Sequence, residues 1–240
     1  MPGIPTSTRI TMPTTEAALY RLMTWLSPAY PVGAFSYSHG FEYAVEEKLV
    51  RDRATLVSWL ATAVEAGTGR IGGALLAEAW RAAATANTER LEEVAALTAA
   101  WRSTSETALE SESQGAAFLS VTRAAWPHPL LDVLVPERRG GPIALPVAVG
   151  AACASHGIAL LSALTAYLHS FASNLVSAGV RLIPLGQSDG QLAVAALEPV
   201  IERSARACAE VSLDEVGSAA PILDWCSMRH ELQYTRLFRS

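Results

Sequence analysis

Serine, histidine and cysteine side chains lie at spacings that could support two kinds of chemistry. Ser36 and Ser38 precede His39, as a nucleophile and its general base could. The same residues also suit a turn followed by a helix N-cap, and a catalytic triad is defined by geometry rather than by neighbours in sequence. We therefore prefer the turn and keep a Ser/His hydrolase as an alternative.

Two Cys–His pairs have the spacing of ligands on one helical face. Cys153 precedes His156 by three residues, and Cys226 precedes His230 by four. A closed zinc site needs four ligands, so each pair is better explained as a buried thiol beside a hydrogen-bonded histidine. Thiol and imidazole ligands would also suit a transient contact with nickel. The sequence contains no P-loop, and no cofactor is predicted.

Length and composition restrict the classes of protein that fit. The chain has 240 residues, enough for one well-buried core, and half of them are hydrophobic. Its formal charge is −5 and no Lys/Arg cluster occurs, which argues against a nucleic-acid-binding protein. The three cysteines lie far apart in sequence, and this pattern favours a reducing compartment.

One stretch of the sequence, residues 140–180, carries no Asp, Glu, Lys or Arg. A helix that is apolar on all sides lies either in a protein core or in a membrane. Pro146, Gly150 and Gly157 interrupt the stretch, and several Ser and His side chains lie within it. We expect a central pair of buried, uncharged helices, and an integral membrane protein is the alternative.

Apolar residues recur at helical spacing nearly throughout the chain, which predicts an all-α fold of about nine or ten helices in one bundle. A loop is expected at Trp126–Pro142, a turn at Pro184–Gly190, and a kink or break at Pro199. The predicted helices are Glu16–Leu26, Phe41–Leu49, one capped by Asp52, Ile71–Thr85, one capped by Thr88 and running through Trp101, Glu106–Ala125, Leu145–Ala154, Gly157–Val180, Gln191–Val211 and Pro221–Met228.

Three parts follow from this pattern. Residues 1–15 are rich in Pro and Thr and are expected to form a flexible N-terminal arm. Residues 16–228 are expected to form the helical domain. Residues 229–240, here called the tail, contain three arginines together with Leu237 and Phe238, a composition favoured at protein interfaces.

Three irregular blocks resemble the UreF family of urease accessory proteins. They are Pro31–Glu42 (PVGAFSYSHGFE), Arg181–Gln187 (RLIPLGQ) and His230–Ser240 (HELQYTRLFRS). Their order and spread cover most of the chain. The N-terminal arm and the Pro-rich connection at 126–142 have no counterpart that we can assign.

The resemblance implies an all-α cytoplasmic protein that is not an enzyme. It implies a homodimer that binds the accessory protein UreD (also called UreH) and recruits the GTPase UreG, so that nickel is inserted into apo-urease. It further implies that the tail contacts UreD and that the 35–42 and 181–191 segments belong to binding surfaces. No nucleic acid or membrane partner is expected. The expected interface residues are Phe35, Ser36, Tyr37, His39, Glu42, Arg181, Gly186, Gln187, Asp189, Gln191, His230, Glu231, Arg236, Leu237 and Phe238.

Overall fold

The computed structural model describes residues 15–100, 104–135 and 140–240. Over these residues the chain forms helices joined by turns, without a β-strand, which confirms the predicted all-α bundle. A 3-10 turn at Ala34–Ser36 and another at Leu213–Glu215 lie between the longer elements. The α-helices are α1 (Glu16–Trp25), α2 (Phe41–Glu46), α3 (Arg53–Glu65), α4 (Thr68–Ala84), α5 (Thr88–Ala100), α6 (Ser105–Ala125), α7 (Pro129–Val133), α8 (Leu145–Ser155), α9 (Leu160–Leu182), α10 (Gln187–Cys208) and α11 (Pro221–His230).

Capping side chains set where several helices begin. Asp52 accepts the Thr55 N–H at 2.8 Å and caps α3, as predicted. The expected cap of α5 was wrong by one residue, because Asn87 Oδ1 accepts the Arg90 N–H and Thr88 is already helical. Thr15, placed in the predicted arm, caps α1 through its hydroxyl, so the helical domain starts one residue earlier. Residues 1–14 and Trp101 lie outside the described residues.

Two predicted boundaries differ from the structure. The loop expected at 126–142 contains α7, which starts at Pro129, where a missing N–H costs nothing, after a cap by His128. Helix α10 begins at Gln187, four residues earlier than expected, and continues through Pro199 to Cys208 without a break. The predicted turn at 184–190 is therefore shorter than expected.

The uncharged stretch forms the centre of the bundle. Helix α8 is buried from Pro146 to Cys153 and packs closely on α4, since a Cβ added at Gly150 would lie 2.4 Å from the Leu76 carbonyl oxygen. Gly157 adopts a left-handed φ of 69° and separates α8 from α9. In the parts of the chain that the structure describes, no helix is long and apolar enough to cross a membrane.

Helix α11 is held against both α2 and α6. Gly40, at the start of α2, has a φ of 71°, and a Cβ there would lie 2.5 Å from the backbone of Ser227 in α11. The Ser227 hydroxyl shares a 2.8 Å hydrogen bond with Thr104, the residue that caps α6. These contacts fix the point from which the tail leaves the bundle.

Candidate partner-binding surface

Beyond α11 the tail turns back over the loop that joins α1 to α2. The Arg239 N–H donates to the Ser36 carbonyl oxygen at 2.8 Å, and the Ser38 N–H donates to the Ser240 oxygen at 2.6 Å. The Ser38 hydroxyl donates to the same Ser240 oxygen, and the Ser240 hydroxyl donates to Glu110 at 2.8 Å. Two blocks that lie 200 residues apart in sequence therefore form one structural unit.

A second set of contacts joins the tail to α2 through a single carboxylate. Glu42 accepts the Leu237 N–H at 2.7 Å and the Phe238 N–H at 3.0 Å. Its Oε2 also lies 3.2 Å from Nε2 of His230, the last residue of α11. The Glu42 side chain is buried, so these partners replace the water that the carboxylate would otherwise bind.

His230 bridges α2 and α6. Its Nδ1 lies 2.8 Å from Glu106 Oε2, and the ring is fully buried. Arg236 donates from Nη1 to the other Glu106 oxygen at 2.8 Å. His230 was expected at a partner interface, and its spacing from Cys226 was interpreted as a buried thiol beside a hydrogen-bonded histidine; Cys226 is buried, and both ring nitrogens of His230 lie at hydrogen-bond distance from carboxylates.

Ser36, Ser38 and His39, the residues considered for a hydrolase site, make structural contacts with the tail and the bundle. The Ser36 carbonyl and the Ser38 hydroxyl bind the tail, as described above. His39 lies with Nδ1 3.1 Å from a Glu110 oxygen, without hydrogen-bond geometry, and its ring packs on Phe171 at 5.0 Å. The residues at this site thus position the tail.

Phe238 and Arg181 connect the tail to the end of α9. The Arg181 guanidinium lies 4.4 Å from the centre of the buried Phe238 ring, a cation–π contact. It also donates to the Phe35 carbonyl oxygen at 3.1 Å. Desolvation lowers the pKa of Arg181 from its ordinary value, although a guanidinium stays charged in proteins. Arg181 therefore contacts both the loop between α1 and α2, at Phe35, and the tail, at Phe238.

The turn before α10 is fixed by Asp189. Its carboxylate accepts the Gly186 N–H at 3.4 Å and forms a 2.9 Å ion pair with Arg53 of α3. Gln187 and Gln191 are exposed beside it. Asp189 was expected at a partner interface, and the structure shows that it also has this positioning role.

The expected interface residues divide by exposure. Tyr37, Glu42, His230 and Phe238 are buried within this chain, and Ser36, His39 and Asp189 are partly buried. The outward-facing members are Phe35, Arg181, Gly186, Gln187, Gln191, Glu231, Arg236 and Leu237. The buried members can support a surface, and the exposed members can form one.

Four exposed apolar side chains were missed among the expected interface residues. They are Trp225 and Met228 on α11 and Leu232 and Tyr234 in the tail, and Tyr234 is fully exposed. Residues 225, 228 and 232 are three and four residues apart, which is the spacing of one helical face and the signal that could have found them. These four side chains and Leu237, all exposed and all within residues 225–237, are here called the apolar ridge; exposed apolar side chains of this kind mark candidate protein interaction sites.

The described residues contain no cluster of side chains that could bind a metal ion. No group of three or more His, Cys, Asp or Glu side chains in the ranges 15–100, 104–135 and 140–240 is arranged to hold a metal ion. Cys153, Cys208 and Cys226 are free and buried, and burial raises the pKa of the Cys226 thiol to about 12.

A sequence model of the UreF family matches residues 50–198. The chain belongs to the UreF family. The urease accessory protein UreF of Granulibacter bethesdensis is 54% identical over 230 residues, which cover 96% of this chain and 97% of that protein. The proteins of the same name from Rhodopseudomonas palustris strain BisB5 and Bradyrhizobium sp. strain BTAi1 are each 50% identical, over 94% and 93% of this chain and 92% of either protein.

Membership of the UreF family settles two earlier expectations. The resemblance inferred from the 31–42, 181–187 and 230–240 blocks is confirmed by relatives that span nearly the whole chain. UreF proteins are accessory proteins of urease, so the prediction that the chain is not an enzyme is confirmed and the hydrolase alternative is wrong.

Proposed function

We propose that this UreF protein is an adaptor for urease maturation that binds UreD (UreH), recruits the GTPase UreG and so promotes nickel insertion into apo-urease. It acts in the cytoplasm, where its three free cysteines stay reduced. The observation that supports the proposal is the docked tail. Hydrogen bonds to Glu42 and Ser36 hold its backbone, while Tyr234 and Leu237 of the apolar ridge stay exposed. Nickel is the cargo of the assembly in this account, and the chain contributes surfaces rather than a cofactor.

UreD is assigned to the apolar ridge. The tail backbone is held from below by Glu42 and Ser36, while Leu237 and Tyr234 face outward. Large apolar side chains surrounded by arginines are the composition of an interface core with its rim. Because the backbone is already held, little conformational entropy would be lost when a partner binds.

UreG is assigned to the neighbouring face at the end of α9. Phe35 is 66% exposed beside the Arg181 guanidinium. Gln187 and Gln191 complete an open cleft of about 550 Å³ between the 33–36 turn, α9 and α10. An aromatic side chain, an arginine and two amides suit a polar protein surface. Contacts at this face would regulate the GTPase cycle.

Affinity capture tests the proposal. Tagged UreD should retain the purified chain, and UreG should bind the resulting complex more tightly than it binds either component alone. A substitution of Phe35 by Ala should reduce UreG binding and leave UreD capture unchanged, since Phe35 lies on the second face. Absence of any complex between UreD and the wild-type chain would contradict the adaptor function.

A homodimer is part of the same proposal and is assigned to a groove between α1, α9 and α10. The groove measures about 1040 Å³, and Leu19, Met23 and Leu161 are exposed in it. Its lining also carries Glu202 and Arg206, which have opposite charges. In a twofold dimer the same patch meets itself, so a patch that holds both signs can be self-complementary. A second copy of the chain is therefore the proposed occupant.

Substitution of Met23 by Glu is expected to convert the dimer to a monomer. Met23 is 67% exposed in the free chain, so the change leaves the fold intact but places a carboxylate in an apolar contact. We expect the dimer dissociation constant to rise at least about tenfold. Sedimentation equilibrium measures it, with Leu192→Glu on the exposed side of α10 as the matched control. A Met23→Glu protein that dimerises as tightly as the control would refute this interface.

A further inference from the structure

The buried end of the tail contains more charge than a packing contact requires. Glu42 and Glu106 provide two carboxylates, and His230 and Arg236 lie between and beside them. Both carboxylates are close to nine-tenths buried or more, and His230 has no exposed surface. Burial of charged groups is costly unless they are paired and hydrogen-bonded, so the cluster needs an explanation beyond filling space.

Both ring nitrogens of His230 face carboxylates. Nδ1 of His230 lies 2.8 Å from Glu106 and Nε2 lies 3.2 Å from Glu42. A neutral imidazole has one N–H, so it can donate to only one of these carboxylates and must turn a lone pair toward the other. A ring that carries a proton on both nitrogens could donate to both carboxylates, and the four side chains would then balance to zero net charge.

Glu42, Glu106 and His230 need not touch a partner, yet they determine where the partner-binding backbone lies. Glu42 binds the backbone N–H groups of Leu237 and Phe238. The Leu237 side chain, by contrast, is 64% exposed. The Glu42 carboxylate therefore fixes the backbone of Leu237, while the Leu237 side chain faces outward.

We propose that Glu42 is a positioning residue for partner binding, and that the His230 imidazole, itself held by Glu106, keeps the Glu42 carboxylate in place. Glu42 acts through the tail and makes no contact with the partner. The inference rests on the proposed function, because the partner is the accessory protein that binds the tail.

Two substitutions at residue 42 separate this role from simple space filling. Gln has the size of Glu but carries no charge, and its amide N–H₂ cannot accept the tail N–H groups or pair with an imidazolium. Asp keeps the charge but is one methylene shorter and leaves a small void. A space-filling role predicts that Glu42→Gln resembles the wild type more closely than Glu42→Asp does. The positioning role predicts the reverse order.

Capture by immobilised UreD is the measurement. We expect Glu42→Gln to weaken the affinity at least about tenfold, since each charge-assisted hydrogen bond that is lost contributes about that factor or more. Glu42→Asp should bind more tightly than Glu42→Gln. Glu47→Gln is the matched control, because Glu47 is an exposed carboxylate one residue beyond α2. It should bind as the wild type does.

Amide hydrogen exchange of the uncomplexed variants provides a second readout. The Leu237 and Phe238 amides should exchange faster in Glu42→Gln than in the wild type and Glu47→Gln, while core amides of α8 stay protected. If Glu42→Gln does not fold, His230→Gln is judged by the same two measurements, since it removes the ring that lies between the two carboxylates.

The outcomes separate the two proposals. A wild-type chain that UreD does not capture removes the proposed function. If UreD captures the wild-type chain, and captures Glu42→Gln at least as tightly as it captures Glu42→Asp, the positioning role is overturned. The proposed function then still stands. Weakened capture by Glu42→Gln together with faster exchange at Leu237 and Phe238 supports both.

Discussion

Deletion of residues 232–240 is expected to abolish capture by UreD while the helical bundle stays folded. The deletion removes the outward-facing Leu232, Tyr234 and Leu237 in one step. Residues of this kind at an interface centre each contribute about 2 kcal/mol or more, so we expect at least about a 100-fold loss of affinity. Binding can be measured by calorimetry or by surface plasmon resonance with immobilised UreD.

The bundle should survive the same deletion because the tail adds only a small part of the core. Among residues 232–240, Phe238 is the one large buried side chain, and burial of such a side chain contributes about 1.5–3 kcal/mol. The double substitution Tyr234→Ala and Leu237→Ala is the matched variant, since it removes outward side chains and keeps Phe238 docked. Wild-type affinity in either variant would contradict the assignment of UreD to the apolar ridge.

Substitution of Leu168 by Asp is expected to destabilise the bundle severely. Leu168 has no exposed surface and lies on α9 within the main apolar cluster. The change removes a buried side chain and places an unpaired carboxylate among apolar atoms, at a cost of about 5 kcal/mol. For a chain of this size, that loss lowers the melting temperature by about 10–20 °C.

Thermal melting followed by circular dichroism tests this expectation. Leu192→Asp is the control, because Leu192 is 55% exposed on α10 and should tolerate a charge. If Leu168→Asp melted together with the control, the uncharged helices would not form the buried centre of the fold. The measurement thus checks the interpretation of residues 140–180 directly.

Local sequence signals predicted most of the helices. Asp52 was predicted as the N-cap that starts α3, and the structure adds the reciprocal contact with Thr55 that completes a capping box. Proline and glycine divided the uncharged stretch between α8 and α9. These signals act over a few residues, which is why they can be interpreted without the fold.

The cluster of Glu42, Glu106 and His230 that holds the tail could not be predicted from local sequence signals. His230 meets Glu106 across 124 residues and Glu42 across 188, and no local pattern pairs them. Leu237 and Phe238 are neighbours of similar character, yet one is exposed and the other buried. Which one faces outward depends on two hydrogen bonds to Glu42, and these exist only once α2 and α11 have packed together.

Urease activation is the most direct test of the central claim that this chain works by presenting surfaces to other proteins. The urease structural and accessory genes should be co-expressed with the wild-type chain, with the chain lacking residues 232–240, and without the chain, in medium that contains nickel. The account predicts high urease activity only with the wild-type chain, and background activity in the other two cultures. Normal urease activity in the culture without the chain would contradict it.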